Sequence, residues 1–374
     1  MTIDRDSEYL HRARRLHSRA ILIDTHCDTP QRLADDEWEI ARRHEHGHVD
    51  IPRMREGVVG AIFLAAFARD TGKPGEGARA VRTQIRRIKH VVDSNARDLA
   101  LARDAQGIRQ AHREGRIAIL IAVEGGHLIE DSLELLRKYH EEGAIYLTLT
   151  HSTHTSWADS SGVDEDLAPR CDGLTSFGRE VVAEMNRLGM MVDVSHVSDK
   201  TFWDVVEVSR APIVATHSSC RSVSPHRRNL TDEMMRAIAK SGGVVQINFS
   251  PKFINPAFPP VERAAIEQYF KTGRMPEGAM PDCVTPLEIL VDHFDHALQV
   301  TGPEHVGIGT DFDGIFAVPA GMEDCSKLPY LTAALLRRGH PEADLENVLG
   351  ENVLRVMDAC KRVADDLQGI TPTG

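Results

Sequence analysis

The chain has 374 residues, and its 44 basic and 56 acidic side chains give a net charge of −12. An acidic protein repels phosphate backbones, so nucleic acid is not the expected partner. No apolar run approaches the roughly 20 residues that a membrane-spanning helix needs, and the N-terminal sequence lacks the apolar core of a signal peptide. These totals predict a cytoplasmic protein with no membrane partner.

The cysteines are scattered, and none forms a C-x-x-C pair. Neither a thiolate zinc site nor a disulfide framework is therefore indicated. The six cysteines stand at positions 27, 171, 220, 283, 325 and 360.

The chain begins with an amphipathic helix over 5–19, and apolar, β-branched runs then recur with helical segments between them. Most runs are continuous rather than alternating, which is typical of strands buried on both faces. The predicted strands are 21–28, 58–67, 117–126, 144–151, 190–196, 213–219, 243–250 and 305–313. The predicted helices include 80–93, 99–114, 131–142, 176–188, 200–209, 232–240, 285–300 and a last helical region from Pro341, with N-caps at Ser176, Asp199 and Thr231.

Eight strands that alternate with helices predict a closed (β/α)₈ barrel, the TIM-barrel fold, as one domain over residues 1–374. A doubly wound open sheet is the alternative fold. No G-x-G-x-x-G follows an early strand, which disfavours that alternative.

Side chains that can bind metals stand at or near the carboxyl ends of six predicted strands. Parallel strands bring these ends together at one face of a barrel, where barrel enzymes keep their active sites. Residues two apart on a strand point the same way, so His26 and Asp28 are expected to face the interior together. The whole set is His26, Asp28, Glu124, His151, His196, His217 and Asp311.

Four imidazoles and three carboxylates around one barrel mouth require a compensating partner, because buried charged and polar groups are costly alone. A divalent metal is the simplest partner. Imidazole and carboxylate ligands suit zinc, and manganese, cobalt and iron stay open. The set exceeds what one tetrahedral ion needs, so we expect two ions that share a carboxylate and activate a hydroxide.

Other histidines have simpler interpretations. His44, His46 and His48 lie in a polar, acidic segment and are predicted to be solvated. His293 and His296 lie one turn apart on a predicted outer helix, so a surface position is favoured over metal binding. Neither a G-x-S-x-G elbow nor a P-loop is present, so serine hydrolase and NTPase functions lack support.

Many motifs along the chain resemble those of the membrane dipeptidase (renal dipeptidase) family of the amidohydrolase superfamily. The matching segments run in order through nearly the whole chain, which makes the resemblance far more specific than any single motif. They are IDTHCD, HVDIPRMREG, VEGG, LTLTH followed by WAD, DGLTSFG, MNRLGMMVDVSH, ATHSS, RRN, GIGTDFDG and GENVLRV.

The resemblance implies a centre of two Zn²⁺ ions per chain. His26 and Asp28 would bind one ion, and His196 and His217 would bind the second. Glu124 would bridge the two ions, where many superfamily members use a carboxylated lysine.

The resemblance also implies a zinc-dependent dipeptidase, and whether its substrates include dipeptides with a C-terminal D-residue stays open. Asp311 would sit at the first zinc and shuttle the proton, and His151 would contact the substrate and the developing oxyanion. Arg228 would hold the terminal carboxylate of the dipeptide. Relatives of this kind are often dimers, so a homodimer is expected by analogy alone.

The segment after His151 departs from the mammalian pattern, because His154 and Ser156 stand where those relatives have asparagine and proline. This difference concerns the side-chain preference of the pocket rather than the metal site. Two alternatives stay open: a binuclear hydrolase of lactams, lactones or N-acyl amino acids, and a metal-binding barrel without catalysis.

Overall fold

The computed structural model of the chain describes residues 5–33, 38–162, 167–272, 274–280 and 282–370. Residues 1–4 and 371–374, which the single-domain prediction includes, lie outside the described residues. Nine strands within the described part belong to one parallel sheet: β1 Leu22–Cys27, β2 Val59–Ala66, β3 Leu99–Leu101, β4 Ile117–Glu124, β5 Ala144–Thr148, β6 Met191–Asp193, β7 Ile213–Ala215, β8 Val244–Ile247 and β9 Val306–Ile308.

Eight of these strands close into a ring, which confirms the predicted (β/α)₈ barrel. The ring runs β2–β1–β9–β8–β7–β6–β5–β4, and the pairing of β2 with β4 closes it. Every strand pairing is parallel, so all eight strands end at the same face of the barrel.

Strand β3 was not predicted from the sequence, since 99–114 was expected to be one helix. Leu99–Leu101 pairs with the first residues of β4. Strand β5 joins β4 only from Ile121 onward, so β3 occupies an edge that would otherwise be open. The helix begins later, at Ala105, where the Asp104 side chain accepts a hydrogen bond from Gly107 N.

The helices fill the segments between strands, and none in the described part is long and apolar enough to cross a membrane. Their caps refine two predictions, because Thr175 and Ser198 are the N-caps in place of Ser176 and Asp199, whereas Thr231 is the N-cap as predicted. The α-helices are α1 Arg5–Arg19, α2 Thr29–Arg32, α3 Ile51–Glu56, α4 Glu76–Ser94, α5 Ala105–Arg113, α6 Leu133–Glu141, α7 Ser176–Leu188, α8 Asp199–Val208, α9 Asp232–Lys240, α10 Pro251–Ile254, α11 Arg263–Thr272, α12 Leu287–Thr301, α13 Leu328–Arg337, α14 Glu342–Glu346 and α15 Asn352–Leu367.

The core has two layers, because alternate residues of each strand face opposite sides of the ring. One cluster lies between the strands and the outer helices. The second lies inside the ring, where Val353 and Val356 of α15 join the inward residues and cover the end opposite the strand carboxyl ends. The inner cluster includes Ile23, Phe63, Leu120, Tyr146, Met191, Val214 and Val244. The open end is therefore the one where the candidate ligands lie.

The prediction that His293 lies on the surface is wrong. This residue of α12 is fully buried, and its Nδ1 accepts a hydrogen bond from Cys220 N at 3.0 Å. Its Nε2 donates to Ile254 O at 2.9 Å. Both partners are backbone atoms far away in the sequence, so helical spacing could not have indicated them. His296 is half-buried, and its Nε2 lies 2.8 Å from Asp232 Oδ1.

A buried histidine in α1 should make the unfolding free energy depend on pH. His17 Nδ1 donates to Gly57 O at 3.3 Å, and Nε2 accepts from Thr332 Oγ1 at 2.8 Å. Burial lowers the pKa of His17 from 6.5 to about 4, so the unfolded chain binds a proton that the folded chain does not. This contribution to stability is present above pH 6.5 and is lost as the pH falls towards 4.

We therefore expect chelator-treated protein to lose roughly 2–3 kcal/mol of unfolding free energy through His17 between about pH 7.5 and pH 4.5. The His17→Gln variant should lose less over the same interval, because its amide does not titrate. Urea unfolding of both proteins at the two pH values measures the difference. Equal losses in parent and variant would contradict the assignment to His17.

Candidate metal centre

The seven predicted ligand side chains come together at the carboxyl ends of the strands. All seven lie at or just past the ends of six strands of the ring, which explains why distant segments of sequence meet here. His26 is the penultimate residue of β1 and Asp28 follows that strand, Glu124 ends β4, His151 follows β5, His196 follows β6, His217 follows β7 and Asp311 follows β9.

Glu124 lies at the middle of this group. Its Oε1 is 3.5 Å from His26 Nε2, 3.2 Å from His196 Nε2 and 3.3 Å from His217 Nε2. Its Oε2 is 3.9 Å from His151 Nε2. The Glu124 side chain is 4% exposed, so these contacts are made almost without solvent. One carboxylate thus faces four imidazole nitrogens.

Among the described residues, three overlapping sets of side chains could each hold an ion, with ligand atoms within 4.8 Å of one another. His26 occurs in two of the sets and stacks on His217 with ring centroids 3.7 Å apart. His26 Nε2 also lies 3.5 Å from Asp28 Oδ2. The sets are His26, Glu124 and His217; Glu124, His151 and His196; and His26, Asp28 and Asp311. His151 therefore lies close enough to serve as a ligand, beside its implied contact with substrate.

Burial raises the pKa of two carboxyl groups at this site. It moves the pKa of Glu124 well above its usual range and that of Asp311 to about 7, in both cases against the opposing effect of His26. Burial also lowers the pKa of His26, but Glu124, Asp28 and Asp311 outweigh it and raise the value to about 10. In the absence of a metal cation, these raised pKa values favour the protonated forms of Glu124, Asp311 and His26, which reduces the negative charge of the site.

The pKa values of the other three imidazoles are lowered, because burial disfavours their charged form and is not outweighed. Burial lowers the pKa values of His196 and His217 well below 6.5, and burial followed by the charge of Arg228 lowers that of His151 to about 3. These rings are neutral at pH 7, and a neutral imidazole has a lone pair for a metal. His26 Nε2 is buried with no hydrogen-bond partner among the described residues. The donor set and this unpartnered atom both fit a bound divalent cation.

Two of the candidate ligands have left-handed backbone conformations. His196 has φ of 69° and Asp311 has φ of 63°. Histidine and aspartate are among the few residues, besides glycine and asparagine, that adopt this region with any frequency. The backbone turns sharply at both positions, where the strand ends and the side chain enters the site.

Residues behind the ligands orient them, and sequence analysis missed these residues. Tyr146 Oη donates to Thr25 O at 3.0 Å, so His26 Nδ1 donates to Tyr146 Oη at 2.8 Å, which leaves Nε2 as the nitrogen that can bind a metal. Asn248 Nδ2 donates to Asp311 Oδ2 at 2.8 Å. A polar side chain within an otherwise apolar strand was the available indication, because such a group needs a partner when buried.

The prediction that His48 is solvated is wrong. Its ring is buried and its Nδ1 accepts from Asp313 N at 2.8 Å. His48 N and Arg32 Nε donate to Asp313 Oδ1 at 2.9 Å and 2.6 Å. Asp311 lies two residues before Asp313, so these contacts hold in place the turn that carries it.

Arg228 lies inside the site rather than on the surface. Its Nη1 donates to Ser218 Oγ at 3.2 Å and its Nη2 to His217 O at 3.0 Å, and the guanidinium lies over the Phe253 ring at 5.3 Å. Burial lowers its pKa to about 10, which leaves the group charged at pH 7. Its Nε is buried without a hydrogen-bond partner among the described residues. A cation therefore lies behind His217, and one of the three guanidinium nitrogens has no hydrogen-bond partner among the described residues.

The residues that depart from the mammalian pattern brace the segment after His151. His154 Nδ1 accepts from Ser160 N at 3.0 Å, and its Nε2 donates to Ala168 O at 3.0 Å. The Ser156 hydroxyl donates to the Asp131 carboxylate. Both side chains thus bind protein groups within the described residues.

Comparison with known proteins gives one consistent result. A family model described as membrane dipeptidase, Peptidase family M19, matches residues 10–371. The chain is 26% identical to a probable dipeptidase, PvdM, from Pseudomonas aeruginosa, with a TM-score of 0.82 over 96% of this chain and 99% of that one. It is 27% identical to a metallopeptidase from Rhodobacter sphaeroides solved with a phosphinate mimic of L-Ala-D-Ala, with a TM-score of 0.80 over 91% and 99%.

Proposed function

The chain belongs to the membrane dipeptidase family of metallopeptidases, and from that premise we propose that it hydrolyses dipeptides with two zinc ions at the barrel mouth. The observation that carries the proposal is the buried Glu124 carboxylate with three imidazole nitrogens at 3.2–3.5 Å from one of its oxygens. Dipeptides with a C-terminal D-residue are included, since the similar Rhodobacter sphaeroides enzyme binds a mimic of one.

The residues that would hold the ions are those that the family resemblance implies. His26 and Asp28 would bind the first ion together with Asp311, and His196 and His217 would bind the second. Glu124 would bridge them. When bound, the two ions would supply Lewis acidity and make hydroxide available near neutral pH.

The protein groups supply binding and proton transfer. Arg228 binds the terminal carboxylate of the dipeptide, because a guanidinium matches a carboxylate in charge and in planar geometry. Asp311, whose Oδ2 accepts a hydrogen bond from Asn248 Nδ2 at 2.8 Å, takes the proton of the attacking water and gives it to the leaving amine. His151, neutral at pH 7, donates an N–H to the developing oxyanion.

The test is hydrolysis of a small dipeptide library by zinc-loaded protein, with L,L and L,D members. We expect chelator-sensitive cleavage of dipeptides, whereas C-terminal amides and tripeptides are spared because they lack a carboxylate at the right distance from the scissile bond. Metal content per chain is measured on the same samples.

The other outcomes separate the alternatives. In one such outcome, the protein binds two metals and turns over a lactam, lactone or N-acyl amino acid but no dipeptide. That result would change the assigned substrate class and leave the proposed metal centre unchanged. Bound metal without turnover of any amide or ester would favour the metal-binding barrel without catalysis.

A further inference from the structure

We propose that Asp193, acting through the Thr216 hydroxyl, holds the proton of His217 on Nδ1 and so leaves Nε2 free to bind metal. Asp193 is a positioning residue in this proposal, because it touches neither substrate nor metal. The inference rests on the proposed metal centre, in which His217 is a ligand.

Asp193 is buried at the end of β6 and accepts four hydrogen bonds. Its Oδ1 accepts from Ser195 N at 3.0 Å and from Thr216 N at 2.9 Å. Its Oδ2 accepts from Thr148 Oγ1 at 2.6 Å and from Thr216 Oγ1 at 2.7 Å. The carboxylate therefore links β5, β6 and the residue before His217, and both of its oxygens have fixed donors.

The direction of each hydrogen bond follows from counting protons. A carboxylate only accepts, so the single hydroxyl hydrogen of Thr216 goes to Asp193. Thr216 Oγ1 also lies 2.9 Å from His217 Nδ1, and it can take part in that contact only by accepting the hydrogen on Nδ1. The lone pair of His217 is then on Nε2, the atom that lies 3.3 Å from Glu124 Oε1.

The other imidazoles of the centre are held differently. His26 donates to the Tyr146 phenol, and His196 Nδ1 is buried without a partner among the described residues. A related brace occurs at β1, where Asp24 accepts from Thr310 N at 3.0 Å and from Thr310 Oγ1 at 2.6 Å, just before Asp311. In both cases a buried aspartate fixes the threonine that precedes a candidate ligand, but only Asp193 acts on an imidazole tautomer.

The Asp193→Asn variant tests the proposal most directly. The two backbone donors at Oδ1 fix the amide orientation, so an NH₂ group replaces Oδ2 and donates where the carboxylate accepted. The Thr216 hydroxyl must then give its hydrogen to His217 Nδ1, which moves the imidazole proton to Nε2. We expect the dissociation constant of the more weakly held zinc ion to rise about 10–100-fold, as is typical when a group that orients a ligand is lost.

Three further variants test the role of the Thr216 hydroxyl separately. Thr216→Val removes the acceptor of the His217 proton and should also weaken zinc binding, whereas Thr216→Ser retains the hydroxyl and should restore it. Thr148→Val is the matched control, because it removes a hydrogen bond to the same oxygen of Asp193 without touching Thr216. Zinc affinity is measured on the full chain by competition with a chromogenic chelator, with thermal unfolding as the check on folding.

The tautomer itself is read by NMR of metal-free, ¹⁵N-histidine-labelled protein, with the His217 signal identified by its loss in His217→Gln. We expect the Nδ1–H form in the parent and the Nε2–H form in Asp193→Asn. If Asp193→Asn kept the parental zinc affinity and the parental tautomer, this inference would be overturned while the proposed metal centre stood. If Asp193→Asn failed to fold, equal zinc affinities of Thr216→Val and Thr216→Ser would overturn the inference in the same way. A parent chain that binds no divalent metal would overturn the proposed centre together with the inference.

Discussion

Replacement of Glu124 by glutamine should remove bound metal and lower kcat/KM by on the order of 10³-fold or more, the scale of losing a central catalytic group. The amide loses the negative charge between the candidate ligands and places an NH₂ donor among imidazoles that need to face a cation. Burial already disfavours the ionised form of Glu124 in the metal-free protein, so the neutral variant should fold. Metal analysis and steady-state kinetics on a dipeptide measure both effects.

Glu184→Gln is the matched control for this variant. Glu184 is also a buried glutamate, but it pairs with Arg137 and Arg187 on the outer helices, away from the barrel mouth. Its replacement should leave metal content and turnover at parental values. If Glu124→Gln retained both metals and parental kcat, Glu124 could not be the shared ligand.

Replacement of Arg228 by alanine should raise KM for dipeptides about 10–100-fold, since a hydrogen bond to a charged group contributes roughly 1.5–3 kcal/mol. The carboxylate that Arg228 binds is present in the ground state and in the transition state alike, so kcat should change much less than KM. Metal content should stay at the parental value, although the variant removes the donor to His217 O.

Two variants refine the interpretation of Arg228. Arg228→Lys should recover only part of the affinity, because an ammonium lacks the planar fork of a guanidinium. Arg227→Ala, which alters the neighbouring arginine, should leave KM for an alanyl dipeptide unchanged. Parental KM in Arg228→Ala, or loss of metal in place of a KM effect, would contradict the role in substrate binding.

The barrel and the convergence of the candidate ligand side chains could be predicted because both follow from local sequence patterns. A continuous apolar run such as 213–215 predicts a buried strand, and the histidine that comes two residues after it must lie near the point where that strand ends. The eight strand ends then share one face as a consequence of parallel pairing. Neither step needs a contact between distant residues to be known beforehand.

The features that were not predicted depend on contacts between distant residues, which sequence patterns do not show. Leu99–Leu101 became a strand because an edge of β4 was open there, although leucine and alanine favour helix. His48 and His293 are buried because backbone atoms 265 and 73 residues away satisfy their rings. Tyr146 and Asn248 were missed for the same reason, since each forms a hydrogen bond to a candidate ligand that follows or belongs to another strand.

The left-handed backbone at His196 and Asp311 limits which metals this centre could be redesigned to bind. A residue exchanged there must supply a ligand atom and also tolerate positive φ, which penalises most side chains by roughly 1–2 kcal/mol. Cysteine at 196 or glutamate at 311 would thus destabilise the fold even where its ligand chemistry suited a softer or larger ion. Asparagine would fit the backbone but would bring a weaker donor. The ligand repertoire of this barrel mouth is therefore restricted by main-chain geometry as well as by coordination chemistry.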